Sequence, residues 1–240
     1  MLVETMSFEE IRAEILKDYH SEINGRAVGL YPKYERYLKA RLDKIPSANK
    51  RRAARYPKAY QLKSASKNNW LIIFDRDRLD YLTTFICYYY TAKGLKAYMK
   101  LAPPENTGLI TYTGHFFKRY RERLNLEHVN PVDGLKRFFT NNPHGVTHPT
   151  GEPIADGVHP VSLYLPDGLG LGFKDDNIRL VTINTFLSNN ELKGNQKDIG
   201  PKVRQELQVK YIEALENANE LPPEFFADRE RYLTDYSRKL

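Results

Sequence analysis

Apolar residues recur at helical spacing from the start of the chain. Phe8, Ile11, Ile15 and Leu16 follow Ser7, and Glu10 stands three residues after that serine, a capping-box signature that opens a helix running toward Gly25. Pro32 is expected to open a second helix with Tyr34, Tyr37, Leu38 and Leu42 on one side; Pro46 closes it, and residues 48–56 form a short third helix before Pro57. At Trp70 the period changes. Residues 70–74, 83–90 and 95–101 are dense in β-branched and aromatic side chains, and Lys93-Gly94 supplies a tight connection between the last two, so all three read as antiparallel strands. A short strand over 109–113 leads into an amphipathic helix over 114–124, and another helix covers 132–139. Residues 141–159 mix Pro, Gly, Asn and His without a period, which predicts a long loop or lid. Strands resume at 160–165, 169–173 and 178–187, joined by the turns Pro166-Asp167-Gly168 and Asp175-Asp176-Asn177, which makes a meander. The alternating Gly168, Gly170 and Gly172 precede no helix signal and point to a flexible or closely approached strand, not a phosphate loop. In the tail, Val203, Leu207, Tyr211, Ile212 and Leu215 stripe a helix, and a final helix follows Pro222-Pro223.

These periods predict an α+β protein: an antiparallel sheet (meander) with N-terminal basic helices and C-terminal helices packed on it. Three regions follow: a basic helical N-terminal region over 1–68, an antiparallel α+β core over 69–200 with the long loop 141–159, and C-terminal helices over 201–240 that pack on the core. With 240 residues, 41% of them hydrophobic, the chain can bury a core. Its longest apolar or aromatic run, residues 85–90, falls far short of the roughly 18 to 20 residues a membrane helix needs, so no membrane partner is expected. Residues 1–14 carry Glu4, Glu9 and Glu10 and lack a basic stretch followed by an apolar one, so no secretory leader is expected either. The single Cys87 excludes an internal disulfide and a cysteine-based zinc site, and with it the expectation is a reducing cytoplasm.

Charge adds a local feature to this picture. Residues 33–67 hold twelve Lys or Arg against two acids, a net of +10, whereas the rest of the chain holds 25 basic and 28 acidic residues. Concentrated like charge is costly without an anionic partner, and here it is interleaved with Tyr31, Tyr34, Tyr37, Tyr56 and Tyr60. The segment therefore reads as a nucleic-acid surface, RNA preferred over DNA, in which Lys50, Arg51, Arg52, Arg55 and Lys58 contact phosphates and Tyr56 and Tyr60 stack on bases. The alternative is a solvated helix-loop-helix whose tyrosines pack inward.

The densest chemistry lies in residues 111–124. At about 100° per residue, His115, Arg119, Glu122 and Arg123 share one helix face, and Phe116, Phe117, Tyr120 and Leu124 share the other. An imidazole that moves protons near neutral pH and guanidinia that bind phosphate in a bidentate way suffice for phosphodiester cleavage. Glu122 serves as a second base or orients an Arg. The competing reading is a surface helix carrying salt bridges such as Lys118 with Glu122. His128, His144, His148, Asp156 and His159 offer imidazole and carboxylate, but Pro143, Gly145, Pro149 and Gly151 forbid the regular helix that would align them, so exposed loop histidines are expected. Neither a cofactor nor a metal is called for.

A strand ending in Thr, then His115, three residues, Arg119, two residues and Glu122-Arg123 resembles the first strand-to-helix signature of the barnase/EndoU/RelE-like ribonuclease superfamily. Cores of that group end in a meander whose last strand closes on Thr followed by apolar residues, and Thr185-Phe186-Leu187 stands in that place; the likeness covers residues 109–187. The resemblance implies His115 as general acid or base, Arg119 and Arg123 as phosphate ligands, and Asn184 or Thr185 as a polar group from the last strand. The reaction it implies is metal-independent RNA cleavage by a toxin-like or phage-like endoribonuclease, with room for a protein partner or an antitoxin-like inhibitor. A non-catalytic nucleic-acid-binding protein, or a protein-interaction module presenting its tyrosine-rich strands, are the other readings of the same residues.

Overall fold

The computed structural model describes residues 1–44, 55–77, 80–100, 108–143 and 145–193. The tail helices, Lys50, Arg51, Arg52, His144 and most of the expected helix over 48–56 lie outside the described residues. Among those described, nine strands form one sheet: β1 (Lys58–Lys63), β2 (Asn69–Asp77), β3 (Asp80–Thr91), β4 (Gly94–Lys100), β5 (Leu109–Tyr112), β6 (Val146–Pro149), β7 (Val158–Leu165), β8 (Gly168–Asp175) and β9 (Leu180–Ser188). The order is β1-β2-β3-β4-β5-β9-β8-β7-β6. Every neighbouring pair is antiparallel except β5 and β9, which run parallel with Tyr112 opposite Ile183. Two meanders thus meet at one parallel seam, and the fold is α+β as the periods predict.

The strands carry apolar residues on both faces because both faces are covered. On one face, Leu71, Ile73, Ile86, Tyr88, Ile110 and Ile183 pack with the aromatic side of two helices, α3 (Gly114–Arg123) and α4 (Pro131–Asn141). On the other, Trp70, Ile72, Phe74, Cys87, Tyr89 and Tyr98 pack with Ile15, Ile23, Tyr34 and Leu38 of the N-terminal helices. Trp70 is fully buried, and its indole N–H donates to Asp18, which also accepts from Asn68 at 2.7 Å.

Four local expectations change. Ser7 caps α1 (Phe8–Asp18) with the reciprocal Glu10 bond, but the helix runs on through a π-helical turn, Tyr19–Ile23, into α2 (Asn24–Leu42). Pro32 therefore sits inside α2 and does not open it; it lacks the amide that would donate to the Val28 carbonyl, and Val28 itself is exposed. The basic region contains β1, an edge strand antiparallel to β2, in place of purely helical structure. The expected long loop over 141–159 contains β6, with Val146 opposite Tyr164 and Pro149 opposite Val161. Both are edge strands, whose pairing is set by the neighbour and not by an apolar pattern of their own.

Candidate active site

β5 is only four residues long, while both its neighbours continue. Tyr112 pairs with Ala97 on one side and Ile183 on the other; β4 extends beyond that level to Gly94, and β9 extends to Ser188. α3 starts in the slot between them. The Thr113 amide still donates to the Ile183 carbonyl at 3.1 Å, continuing the seam. Its hydroxyl donates to the Asn184 carbonyl at 3.2 Å and accepts from the Phe116 amide as the N-cap. On the opposite flank Gly114 touches the β3–β4 turn so closely that a Cβ would stand 2.4 Å from the Lys93 carbonyl oxygen, which only glycine avoids.

A β-bulge shapes the strand beside this helix. Ile183 faces Gly172 and Thr185 faces Leu171, so Asn184 is the extra residue. The close approach expected from the alternating glycines is real, since a Cβ on Gly172 would meet the Thr182 carbonyl oxygen at 1.8 Å. After the bulge, Phe186 points with Ile183 into the aromatic core, whereas Leu187 joins Tyr164, Leu169 and Leu192 on the opposite face. Thr185, across from Leu171, shares the face of Leu187.

The helix itself divides as its spacing predicts. Phe116, Phe117 and Tyr120 are buried against Phe138 and Phe186, while His115, Lys118 and Arg119 are exposed. His115 occupies the first turn, at the positive end of the helix. Arg119 Nη1 donates to Glu122 Oε2 at 2.9 Å, and Lys118 stands 3.9 Å from the same carboxylate, so Glu122 orients Arg119.

Arg123 is the most constrained member. Its Nε forms an ion pair with Glu191 Oε1 at 2.8 Å, and its Nη1 is buried with no hydrogen-bond partner among the described residues. Glu191 Oε2 accepts from both the amide and the hydroxyl of Ser188, each at 2.8 Å. Burial works against the charged form of Glu191, but the Ser188 hydrogen bonds and the Arg123 and Arg119 guanidinia outweigh it and hold the carboxyl below its ordinary value. Sequence reasoning missed Glu191. The Ser188-x-x-Glu191 spacing repeats the capping signature that located α1 and could have found it.

The described part of the basic segment serves two purposes. Arg55 Nε donates to Asp75 Oδ2 at 2.7 Å, and its Nη2 reaches the same carboxylate and the Thr140 carbonyl at 3.0 Å, which ties β2 to the end of α4. Tyr34 donates to the Tyr56 carbonyl, Tyr60 packs edge-on against Phe74, and Lys58 and Arg41 both lie over the Tyr37 ring. These side chains are engaged within the protein, whereas Lys33, Arg36 and Lys39 of α2 stand exposed. Because Asp75 is 2% exposed, Arg55→Ala should destabilise the fold by about 3 kcal/mol through the loss of a buried ion pair. Urea denaturation checks this, and a loss under about 1 kcal/mol would return Arg55 to the phosphate-binding set.

Of the loop histidines, His148 lies exposed on β6 and His159 Nε2 sits 3.8 Å from Asp176. Among the described residues no group of three or more His, Cys, Asp or Glu side chains could hold a metal ion. No described helix is long and apolar enough to cross a membrane. The chain matches no family model, no curated protein and no solved structure.

Proposed function

We propose that this protein binds RNA through the exposed cations of α2 and its neighbourhood and cleaves it on the polar side of α3. The observation that supports this reading is the polar side of α3: His115 and Arg119 are exposed opposite the buried Phe116 and Tyr120, Arg123 follows one turn later, and the Thr113 cap ties the start of the helix to the Asn184 carbonyl on the bulged β9. In the proposed reaction the 2′-oxygen attacks phosphorus as its proton passes to a base, the P–O5′ bond breaks, and O5′ departs with a proton. His115 carries one of these transfers, Arg119 and Arg123 take the charge building on the phosphate oxygens, and Glu122 keeps Arg119 in place. Asn184 and Thr185 supply polar contacts from the strand.

The direct test is incubation of purified protein with mixed-sequence single-stranded RNA in chelator, followed by analysis of the ends. Products with a 2′,3′-cyclic phosphate, and a DNA strand of the same sequence bound but uncut, are expected. Absence of chelator-resistant cleavage on every RNA tried would leave the second reading, a non-catalytic nucleic-acid-binding protein. That reading is favoured by the ion pairs that already satisfy Glu122 and part of Arg119.

Binding has its own signature. If three phosphates are met by Lys33, Arg36 and Lys39, reversing all three to Glu should cut the slope of log affinity against log salt by about 2 units, from roughly 0.7 per phosphate on single strands. Fluorescence anisotropy over a salt series measures it. A slope indifferent to the three reversals would move the nucleic-acid surface off α2.

A further inference from the structure

The two oxygens of the Glu191 carboxylate have separate tasks. Oε2 is held by the Ser188 amide and hydroxyl, so the carboxylate is oriented by its own turn, independently of α3. Oε1 then stands 2.8 Å from Arg123 Nε as an ion pair, which holds the guanidinium beside the carboxylate. Arg123 Nη1 is buried and without an acceptor among the described residues. A buried donor in that condition is unfavourable until an acceptor arrives, and a guanidinium with its Nε edge occupied offers its two Nη groups to a tetrahedral oxyanion. Arg119, one turn earlier on the same side, adds a second positive charge, and Glu191 responds electrostatically to both guanidinia.

We infer that Glu191 is a positioning residue that presents Arg123 to a non-bridging oxygen of a phosphodiester. The inference rests on the RNA reading for its ligand class and goes beyond it in assigning an acidic residue to an anion site. Charge alone argues the other way: removing a carboxylate beside two arginines raises the local positive potential and should tighten anion binding. Positioning predicts that the same removal weakens binding. The two accounts differ in sign.

The experiment follows arginine Nε–Hε signals of the full ¹⁵N-labelled chain, with the Arg123 signal assigned by Arg123→Lys, during titration with a diribonucleoside monophosphate and separately with inorganic phosphate. In the wild type the Arg123 signal should shift and saturate with the diester. In Glu191→Ala affinity should fall about tenfold or more, the scale of one charge-assisted contact, and Glu191→Gln should fall between, since its amide oxygen still receives the Ser188 bonds and keeps a polar group beside Nε without the charge. Ser188→Ala, which removes one of the two bonds on Oε2, gives a milder variant should Glu191→Ala lose its fold, and a partial loss of affinity is expected there. Unchanged or tighter diester binding in the Glu191 variants, or in Ser188→Ala where that is the readable one, would overturn the positioning role. A wild-type Arg123 signal indifferent to the diester would overturn the anion site. A titrating Arg123 in a protein that cuts no RNA would sink the catalytic reading and leave this one standing; the reverse result would do the opposite.

Discussion

Phe116→Ala is expected to lower the unfolding free energy by about 3 to 5 kcal/mol, the usual cost of deleting a fully buried ring whose surroundings cannot collapse into the gap. The ring is 0% exposed and meets five other rings: Tyr112, Phe117, Tyr120, Phe138 and Phe186, at centroid separations from 5.1 to 6.5 Å. Those partners come from β5, α3, α4 and β9, so the cavity would open where the parallel seam, the slot and α4 meet. None of them can close it without dragging a strand or helix with it. Edge-on aromatic pairs add to the loss beyond the area removed from water. Urea denaturation should show a lower midpoint at unchanged slope. A loss below about 1 kcal/mol would mean that α3 is not seated on this core, and the placement of the polar side opposite it would fall as well.

How much of this was readable beforehand depends on where the determining contacts lie. β2, β3 and β4 were legible because burial on both faces demands continuous β-branched and aromatic runs such as Trp70-Leu71-Ile72-Ile73-Phe74. α3 was legible with its face, because Phe116, Phe117 and Tyr120 keep helical period against a fixed neighbour. Pro32 misled because a proline signal is local, whereas α2 persists through it on the tertiary burial of Ala27, Tyr34 and Leu38. The edge strand β1 was hidden by Lys58, Gln61 and Lys63, which suit an edge as well as they suit a solvated loop. The parallel seam joins residues 109–112 to residues 180–183, and no local pattern announces pairing across such a span. The candidate site divides in the same way. His115, Arg119, Glu122 and Arg123 follow from helical spacing, but Glu191 enters from the far end of β9, and Arg55, which looked like one cation among many, is claimed by a buried Asp75.

His115→Ala is expected to lower RNA cleavage by roughly 10² to 10⁴-fold, the usual contribution of a positioned acid or base, while RNA affinity barely changes. The separation follows from where the side chain sits. His115 is exposed in the first turn of α3, its backbone held by the Thr113 cap and its side chain opposite Phe116 and Tyr120, so its removal empties no cavity and should shift stability by less than about 0.5 kcal/mol. In the proposed function the phosphate-binding charge rests on Arg119, Arg123 and the cations of α2; Arg119 pairs with Glu122 and Arg123 with Glu191, not with His115, so the ground-state complex should survive. Loss of rate with folding and affinity intact is therefore specific to proton transfer, and Phe116→Ala provides the contrast, losing all three together. His115→Gln sharpens the test, because it keeps hydrogen bonding but cannot titrate near neutral pH; it should be as slow as the alanine variant. Single-turnover cleavage with product ends resolved, run beside anisotropy on the same RNA, measures rate and affinity separately. Full activity in His115→Ala would remove the imidazole from the chemistry even where cleavage is real, and would shift the search for the proton-transfer group to Glu122. A parallel fall in affinity and rate would instead make His115 a binding contact, and the polar side of α3 would then be an RNA-binding surface without a catalytic base.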